Sequence, residues 1–209
     1  QAFLIDSQGL SSFLHGVTVS SALIGCIVGG AISGFVSSAY GRKYALIIAG
    51  VLFFLSALGS GNPEFLFFNK GESSMGLLWM FNFYRVIGGV GVGLASAVCP
   101  MYIGEIAPAE IRGRLVSLNQ FAIIFGMLIV YFVNWGIADG QTIEWINEIG
   151  WRRMFLSEAL PAAVFILLMF LVPESPRYLA LKQKDTEALS ILTRVNGVEK
   201  AKQILEDIK

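Results

Sequence analysis

The sequence is poor in charged residues. Charged side chains make up 14% of its 209 residues and hydrophobic side chains 55%, whereas about a quarter of an ordinary globular domain is charged. The formal net charge is +0, so no global basic character indicates nucleic acid as a partner. This composition predicts a protein whose main partner is the lipid bilayer.

Cysteine and histidine are also scarce. Cys26 and Cys99 both fall inside apolar runs, which predicts two buried thiols and not a disulfide framework. His15 is the single histidine, so the chain has no nucleophile with a histidine base, no cluster of metal ligands and no paired carboxylates in a soluble cleft. The glycine-rich stretch GGVGVGLAS lacks the spacing of a dinucleotide-binding loop. We therefore expect no enzyme, no metal and no cofactor.

Long apolar segments dominate what is present. They run over about 11–39, 44–60, 76–104, 115–137 and 154–172. Each approaches or exceeds the roughly 17 to 25 residues that a helix needs to cross about 30 Å of hydrocarbon. The sequence therefore predicts an all-α membrane protein, with five transmembrane helices in residues 1–172.

The basic residues predict the orientation of these spans. Most of them lie in joints 40–46 and 105–114 and in the tail 173–209, whereas the opposite joints hold only Lys70, Arg152 and Arg153. By the positive-inside bias, the first set is cytoplasmic. All four tryptophans then fall near the outer interface, which agrees with this orientation.

The tail reads as a cytoplasmic layer of short helices and not as a sixth span. Ser175 before Pro176 is a helix cap before a first-turn proline, and Asn196-Gly197 separates two polar helices. The second of these has an apolar face, formed by Val198, Ala201, Ile204, Leu205 and Ile208. Because the chain starts at Gln1 and ends within this helix, we expect further segments before and after it.

Glycines four residues apart recur in the spans. The pairs are Gly25 with Gly29, Gly30 with Gly34, and Gly89 with Gly93. Glycine faces of this kind let helix backbones approach closely in lipid, so they predict tight helix packing.

Two charges lie inside the predicted spans. Arg85 comes six residues after Trp79 and Glu158 seven after Trp151, so each lies about 9 to 11 Å below the outer interface. An arginine at such depth costs at least about 2.5 to 3.5 kcal/mol and normally faces a bundle interior. We therefore predict that Arg85 and Glu158 approach one another in a polar cavity. A structural ion pair or snorkelling to the interface is the alternative.

Amides in the fourth segment form a second candidate site. Gln120 and Asn119 lie mid-span, and Met127 follows on the same face as Gln120. Amides both donate and accept hydrogen bonds, which suits a polyhydroxylated solute. The alternative is an amide that bonds another helix.

Several motifs resemble the sugar porter family of the major facilitator superfamily. They are RVIGGVGVG, PMYIGEIAPAEIRG, NQFAIIFG and PESPRYL, in the family's order and spacing over essentially the whole chain. The resemblance implies twelve helices in two halves and alternating access. This chain would supply family helices 2–6 and the start of the intracellular helical domain, and would need the first helix and the C-terminal half as partners.

The resemblance also implies roles for individual residues. Arg85 matches the arginine that proton-coupled members associate with a first-helix aspartate, and Glu158 matches an acid near it. Gln120 matches a glutamine that contacts sugar hydroxyls. The cytoplasmic gating network of the family is matched at Arg42, Glu105, Arg112, Glu174 and Arg177.

The chain departs from the family pattern at two places. Ser38 and Ala39 occupy positions that are usually charged, which would weaken one cytoplasmic contact. Met127 stands where the proton-coupled xylose carriers have a glutamine. An apolar residue at this position resembles the pattern of glucose facilitators instead.

The expected function is thus secondary active transport in the cell membrane, with a proton gradient driving uptake of xylose or a related pentose or hexose. One alternative is a proton-independent facilitator, recognisable by the lack of an acid on the first helix. Another is a sugar sensor that binds without translocating.

Overall fold

The protein is a bundle of long helices with a small helical appendage. The computed structural model describes residues 8–64 and 75–208, with side chains from residue 13 onward; Lys70, assigned above to an outer joint, lies outside them. Five helices are long and apolar enough to cross a membrane. They are α1 (Gln8–Tyr40), α2 (Arg42–Gly61), α3 (Met75–Ile106), α4 (Arg112–Ala138) and α5 (Ile143–Leu171). All five predicted spans are therefore confirmed.

Helix α5 begins about eleven residues before the predicted segment. The Thr142 side chain accepts a hydrogen bond from the Trp145 N–H at 3.3 Å and caps the helix start. A π-helical turn (Ile146–Gly150) follows and includes the polar residues Asn147 and Glu148. Hydropathy missed this stretch because its polar side chains lower the local average, although the backbone is helical.

Three short helices follow the bundle: α6 (Pro176–Leu181), α7 (Asp185–Asn196) and α8 (Val198–Ile208). The Ser175 side chain caps α6 by accepting from the Tyr178 N–H, and Gly197 separates α7 from α8 with a φ of 82°. Both features agree with the sequence predictions. Leu205 and Ile208 of α8 pack against buried Leu179 and Ala188, so the appendage has a small core of its own.

Helix α3 lies at the centre of the bundle, packed along α1 on one side and α2 on the other. Close approach to α1 depends on glycine: a Cβ added to Gly25 would lie 2.9 Å from the Gly89 Cα, and one added to Gly29 would lie 2.9 Å from the Val90 Cα. This confirms the prediction for two of the glycine pairs.

The pair Gly30 and Gly34 differs from that prediction. Among the described residues, a Cβ added to either would meet nothing within 4 Å. The helix turns by about 100° per residue, so Gly30 points away from the face that Gly29 presents to α3.

Helix α4, unlike α3, has no buried residue among those described.

We call the end of the bundle with Gly41, Glu105 and Glu174 the charged end, and the end with Gly61 and Met75 the opposite end.

Candidate functional site

A cavity of about 370 Å³, partly open to the outside of the chain, lies between helices of the bundle. Four helices line it, with Ala22 from α1, Ser56 from α2, Arg85 from α3 and Glu158 from α5 among the lining residues. The two charged residues that were predicted to approach one another thus both line this cavity.

The hydrogen-bond pattern of α5 is interrupted beside Glu158. Pro161 has no N–H to bond the Ser157 carbonyl, and its ring crowds that carbonyl. The α-helical pattern accordingly lapses at Glu158, between Trp151–Ser157 and Ala159–Leu171, although Glu158 keeps helical dihedral angles of −67° and −21°. At the break the Glu158 N–H donates to the Phe155 carbonyl at 3.2 Å, only three residues back.

Arg85 and Glu158 share the cavity without direct contact. Within residues 8–64 and 75–208 no ion pair within 4.0 Å joins them. The guanidinium carbon lies 5.6 Å from the centre of the Phe155 ring, a distance at which the cation and the ring face attract one another. Arg85 and Glu158 therefore line one cavity without forming a salt bridge in this structure.

The candidate solute-binding residues on α4 lie outside this cavity. Gln120 is exposed and Met127 is 60% exposed. Asn119 is half-buried, and its Oδ1 accepts a hydrogen bond from the Cys99 thiol at 3.3 Å. Asn119 thus makes the interhelical contact that the sequence left open, whereas Gln120 and Met127 point to the open side of α4.

A compact network of polar contacts joins three chain segments at the charged end. Arg42 on α2 forms an ion pair of 2.8 Å with Glu105 on α3. Glu174 Oε1 accepts from the backbone N–H groups of Arg42, Lys43 and Ser175 at 3.0, 3.1 and 2.8 Å. A carboxylate that accepts the first N–H groups of α2 satisfies donors that have no partner within the helix and complements the helix dipole.

Sequence reasoning missed three hydroxyl groups of this network. The Ser175 hydroxyl donates to Glu105, the Tyr102 hydroxyl donates to the Pro173 carbonyl at 2.5 Å, and the Tyr178 hydroxyl donates to the Ala39 carbonyl at 3.0 Å. Tyr178 belongs to the motif PESPRYL, and the sequence predicted only a capping role for Ser175. Nothing in the sequence indicated that their hydroxyl groups bond to Ala39 and Glu105, which lie far away in the chain.

Two arginines assigned to the same network lie outside this set of contacts. Arg112 is exposed, and its long contact of 3.5 Å runs to the Ala107 carbonyl of the adjacent loop. Arg177 is exposed on α6. Ser38, at a position that the family usually fills with a charge, donates to the Phe35 carbonyl of its own helix at 3.0 Å.

An ion pair closes the opposite end of the bundle. Arg152 on α5 donates to both carboxylate oxygens of Glu64, at 2.6 and 3.3 Å, and its guanidinium carbon lies 4.7 Å from the centre of the Trp151 ring. The Glu64 side chain is 7% exposed. This contact ties the residues after α2 to the first part of α5.

Five membrane-length helices, four of which line a cavity with two charged side chains, define a multi-pass membrane protein with ionisable groups inside its bundle. A family model described as "Sugar (and other) transporter" matches residues 4–209. The chain belongs to this family, which confirms the resemblance seen in its motifs.

Two curated relatives and one solved structure illustrate the similarity. The D-xylose-proton symporter of Escherichia coli (strain K12) is 49% identical over 209 residues, covering 97% of this chain and 43% of that protein. The arabinose-proton symporter of Bacillus subtilis (strain 168) is 41% identical over 207 residues, covering 99% of this chain and 42% of that protein. The structure of the major facilitator superfamily proton:xylose symporter XylE bound to 6-bromo-6-deoxy-D-glucose matches with a TM-score of 0.92 and 48% identity, over 97% of this chain and 44% of that one. The chain thus spans less than half the length of these proteins.

Proposed function

We propose that this chain forms part of a sugar:proton symporter that works by alternating access, with xylose or a related monosaccharide as substrate. The observation that carries the proposal is the cavity that holds Arg85 and Glu158 between four helices. Ionisable groups inside a membrane bundle mark proton or ion pathways, and the relatives named above include proton-coupled carriers of xylose and arabinose.

In this scheme the charge state of the cavity is linked to the side on which the transporter opens. An acid on a first helix, supplied by the rest of the transporter, pairs with Arg85 when it is ionised. Proton binding to that acid releases Arg85 toward Glu158. Coupling requires only that the proton and the sugar both bind one state better than the other.

We propose that the sugar binds at the open face of α4. Gln120 would donate to and accept from sugar hydroxyls, and Met127 would contact the apolar face of the ring. Asn119 would contribute to the same site while Cys99 holds its position against α3. The lack of any buried residue on α4 supports an assignment in which the other half of the transporter covers this face.

The proposed location is the plasma membrane, or the inner membrane of a bacterium with two membranes. Joints 40–46 and 105–114 and the tail 173–209 would be cytoplasmic, so that residues 1–172 form part of the N-terminal bundle and 173–209 begin the intracellular linker domain. Arg42, Glu105 and Glu174 would hold the cytoplasmic helix ends together. Arg112 and Arg177, which are exposed, would contact the second half when the inside is shut, since exposed pairs of about 1 kcal/mol can break and reform.

Proton-driven accumulation of labelled xylose by the intact transporter in proteoliposomes tests this proposal. For one proton per sugar, an inward gradient of about one pH unit drives about tenfold accumulation, because one pH unit corresponds to about 1.36 kcal/mol. Arg85→Leu and Glu158→Gln should abolish this accumulation and leave sugar counterflow at equal pH. The control Glu199→Gln changes an exposed tail residue and should accumulate as the unchanged protein does.

A proton-independent facilitator is the second candidate, favoured by the apolar Met127 at the open face of α4. In that case the unchanged transporter would only equilibrate sugar across the membrane, with or without the gradient. Accumulation that persists in Arg85→Leu would instead contradict the role given to this arginine.

A further inference from the structure

Two buried polar side chains lie between the cavity that Arg85 and Glu158 line and the opposite end of the bundle. Ser60 on α2 is 1% exposed and Asn82 on α3 is 5% exposed. Neither the Ser60 hydroxyl oxygen nor the Asn82 Oδ1 has a hydrogen-bond partner among the described residues. A buried polar atom without a partner costs about 1–3 kcal/mol, so both positions favour a bound water molecule.

Ser60 differs in this respect from other hydroxyl groups of the bundle. On α1, Ser21, Ser33 and Ser37 each donate to a backbone carbonyl three residues earlier in the same helix, at 2.8, 2.7 and 3.2 Å. A serine on a helix can satisfy itself in this way. The Ser60 hydroxyl makes no such bond, so it remains available for a molecule outside its own helix.

Ser60 and Asn82 are not among the residues that line the cavity, but helical periodicity puts each on the face of its helix that does line it. Phe53 and Ser56 line it from α2, and Ser60 follows them at steps of seven and four residues. Arg85 and Gly89 line it from α3, and Asn82 precedes them by three and seven. Residues at these steps share one helix face.

Both side chains are also close to the end of the bundle. Ser60 is the residue before the end of α2 at Gly61, and Asn82 lies seven residues, or about 10 Å, from the start of α3 at Met75. Gly59 packs against the Tyr84 ring, so this part of α2 and this part of α3 lie at the same height.

Aromatic rings fill another part of this layer. Phe81 packs edge-on against Phe155, with ring centres 5.3 Å apart, and against Trp151 at 6.0 Å. The Phe81 and Phe155 rings offer sugar hydroxyl groups no hydrogen-bond partner. A water molecule beside Ser60 or Asn82 would find a polar partner there.

We propose that Ser60 and Asn82 hold a short chain of water molecules through which protons enter the Arg85–Glu158 cavity from the outer side, by a route separate from that of the sugar. This inference rests on the proposed function. Each water accepts a proton from its outer neighbour and passes another inward, so one proton reaches the cavity and no water is consumed. Ser56, one helical turn from Ser60, continues the chain to the cavity wall.

The test replaces the polar atoms in the intact transporter and compares two rates. Ser60→Ala and Asn82→Leu remove the water partners, whereas Asn82→Ser retains a hydroxyl group. Sugar-triggered proton uptake is followed with a pH dye in proteoliposomes, and sugar counterflow is measured at equal pH on both sides. Ser33→Ala is the matched control, because it removes a buried hydroxyl that bonds only its own helix.

We expect Ser60→Ala and Asn82→Leu to slow proton uptake by roughly tenfold or more, which corresponds to at least about 1.4 kcal/mol on the barrier. Counterflow should stay at the level of the unchanged protein, and Asn82→Ser should recover most of the proton uptake. Ser33→Ala should alter neither rate.

Two results would overturn the water chain while leaving symport intact. One is proton uptake at the normal rate in Ser60→Ala and Asn82→Leu. The other is an equal loss of proton uptake and counterflow that Asn82→Ser does not restore, which would assign both residues a purely structural role. If the unchanged transporter takes up sugar without protons, the proposed function itself fails and the water chain is refuted with it.

Discussion

The contact between α1 and α3 offers the sharpest test of the packing, through the change Gly25→Ala. The added Cβ would lie nearest to the Val86 carbonyl oxygen, and 2.9 Å from both the Gly89 Cα and the Val90 nitrogen, whereas carbon atoms in favourable contact are about 3.5–4.0 Å apart. All of these neighbours are backbone atoms of α3, so no side chain can rotate away. The Gly89 Cα alone requires the helices to separate by about 0.6 Å, and the closer Val86 oxygen requires more.

The cost of this separation follows from the length of the contact. A gap of about 0.5–1 Å forfeits a quarter to a half of each contact's attraction, and the same interface also contains Gly29 and Gly93. In lipid, no hydrophobic drive between helices offsets the loss. We expect the free energy of unfolding to fall by about 1–3 kcal/mol, the usual cost of overpacking a well-packed interior.

The assay is thermal unfolding of the intact protein in detergent, followed by tryptophan fluorescence. Each 1 kcal/mol lowers Tm by about 2–4 °C for a chain of about 150–250 residues, and by less for a longer one. Gly16→Ala is the matched control on the same helix, because its Cβ would meet nothing within 4 Å among the described residues. An unchanged Tm in Gly25→Ala, alongside an unchanged Tm in the control, would refute the packing argument.

Three further predictions concern the two ends of the bundle. Glu64→Gln should lower the free energy of unfolding by about 1.5–3 kcal/mol, the worth of a hydrogen-bonded charge, and a double-mutant cycle with Arg152→Gln should show that the two effects are not additive; additive losses would contradict a direct pair. Ser175→Ala should cost about 1 kcal/mol as a lost helix cap and speed proteolysis of the tail, whereas an unchanged digestion rate would count against the cap. A backbone hydrogen bond and the Lys200 ammonium hold the pKa of Glu110 below its ordinary value of 4.5, so any stabilisation by this pair is present at neutral pH and is lost as the pH falls through the lowered pKa. Lys200→Met should raise that pKa in a carboxyl carbon-13 titration, and no shift would exclude the contact.

The span assignments show where a sequence pattern carries enough information. Hydropathy located all five spans because a helix in lipid must be apolar over a fixed length. It failed at the start of α5, where Glu144 and Glu148 lie within a helical stretch at the end of the span. Glycine spacing indicated the α1–α3 contact through Gly25 and Gly29, but gave the same signal for Gly30, where an added Cβ would meet no described atom within 4 Å.

The candidate site was predictable only in part, for a similar reason. The common depth of Arg85 and Glu158 followed from helix rise alone, and the sequence favoured an approach between them. The lack of an ion pair within 4.0 Å between them in the described part of the chain, and the contact of Arg85 with the Phe155 ring, depend on how α3 packs against α5. The Cys99–Asn119 hydrogen bond likewise depends on the rotation of α3 against α4, which no spacing within one helix reports.

The sequence by itself determined the number of spans, the short helices of the tail and the family to which the chain belongs, and it predicts the orientation of the spans through the positive-inside bias. These are local properties, set by helix rise, residue size and the cost of placing charge in hydrocarbon. Only the tertiary structure decided that four helices line a cavity beside Arg85, that Glu174 caps α2 across 132 residues of chain, and that the Ser60 hydroxyl and the Asn82 Oδ1 have no hydrogen-bond partner among the described residues. Each of these depends on which faces of separate helices meet, and that is fixed by packing between segments far apart in the sequence.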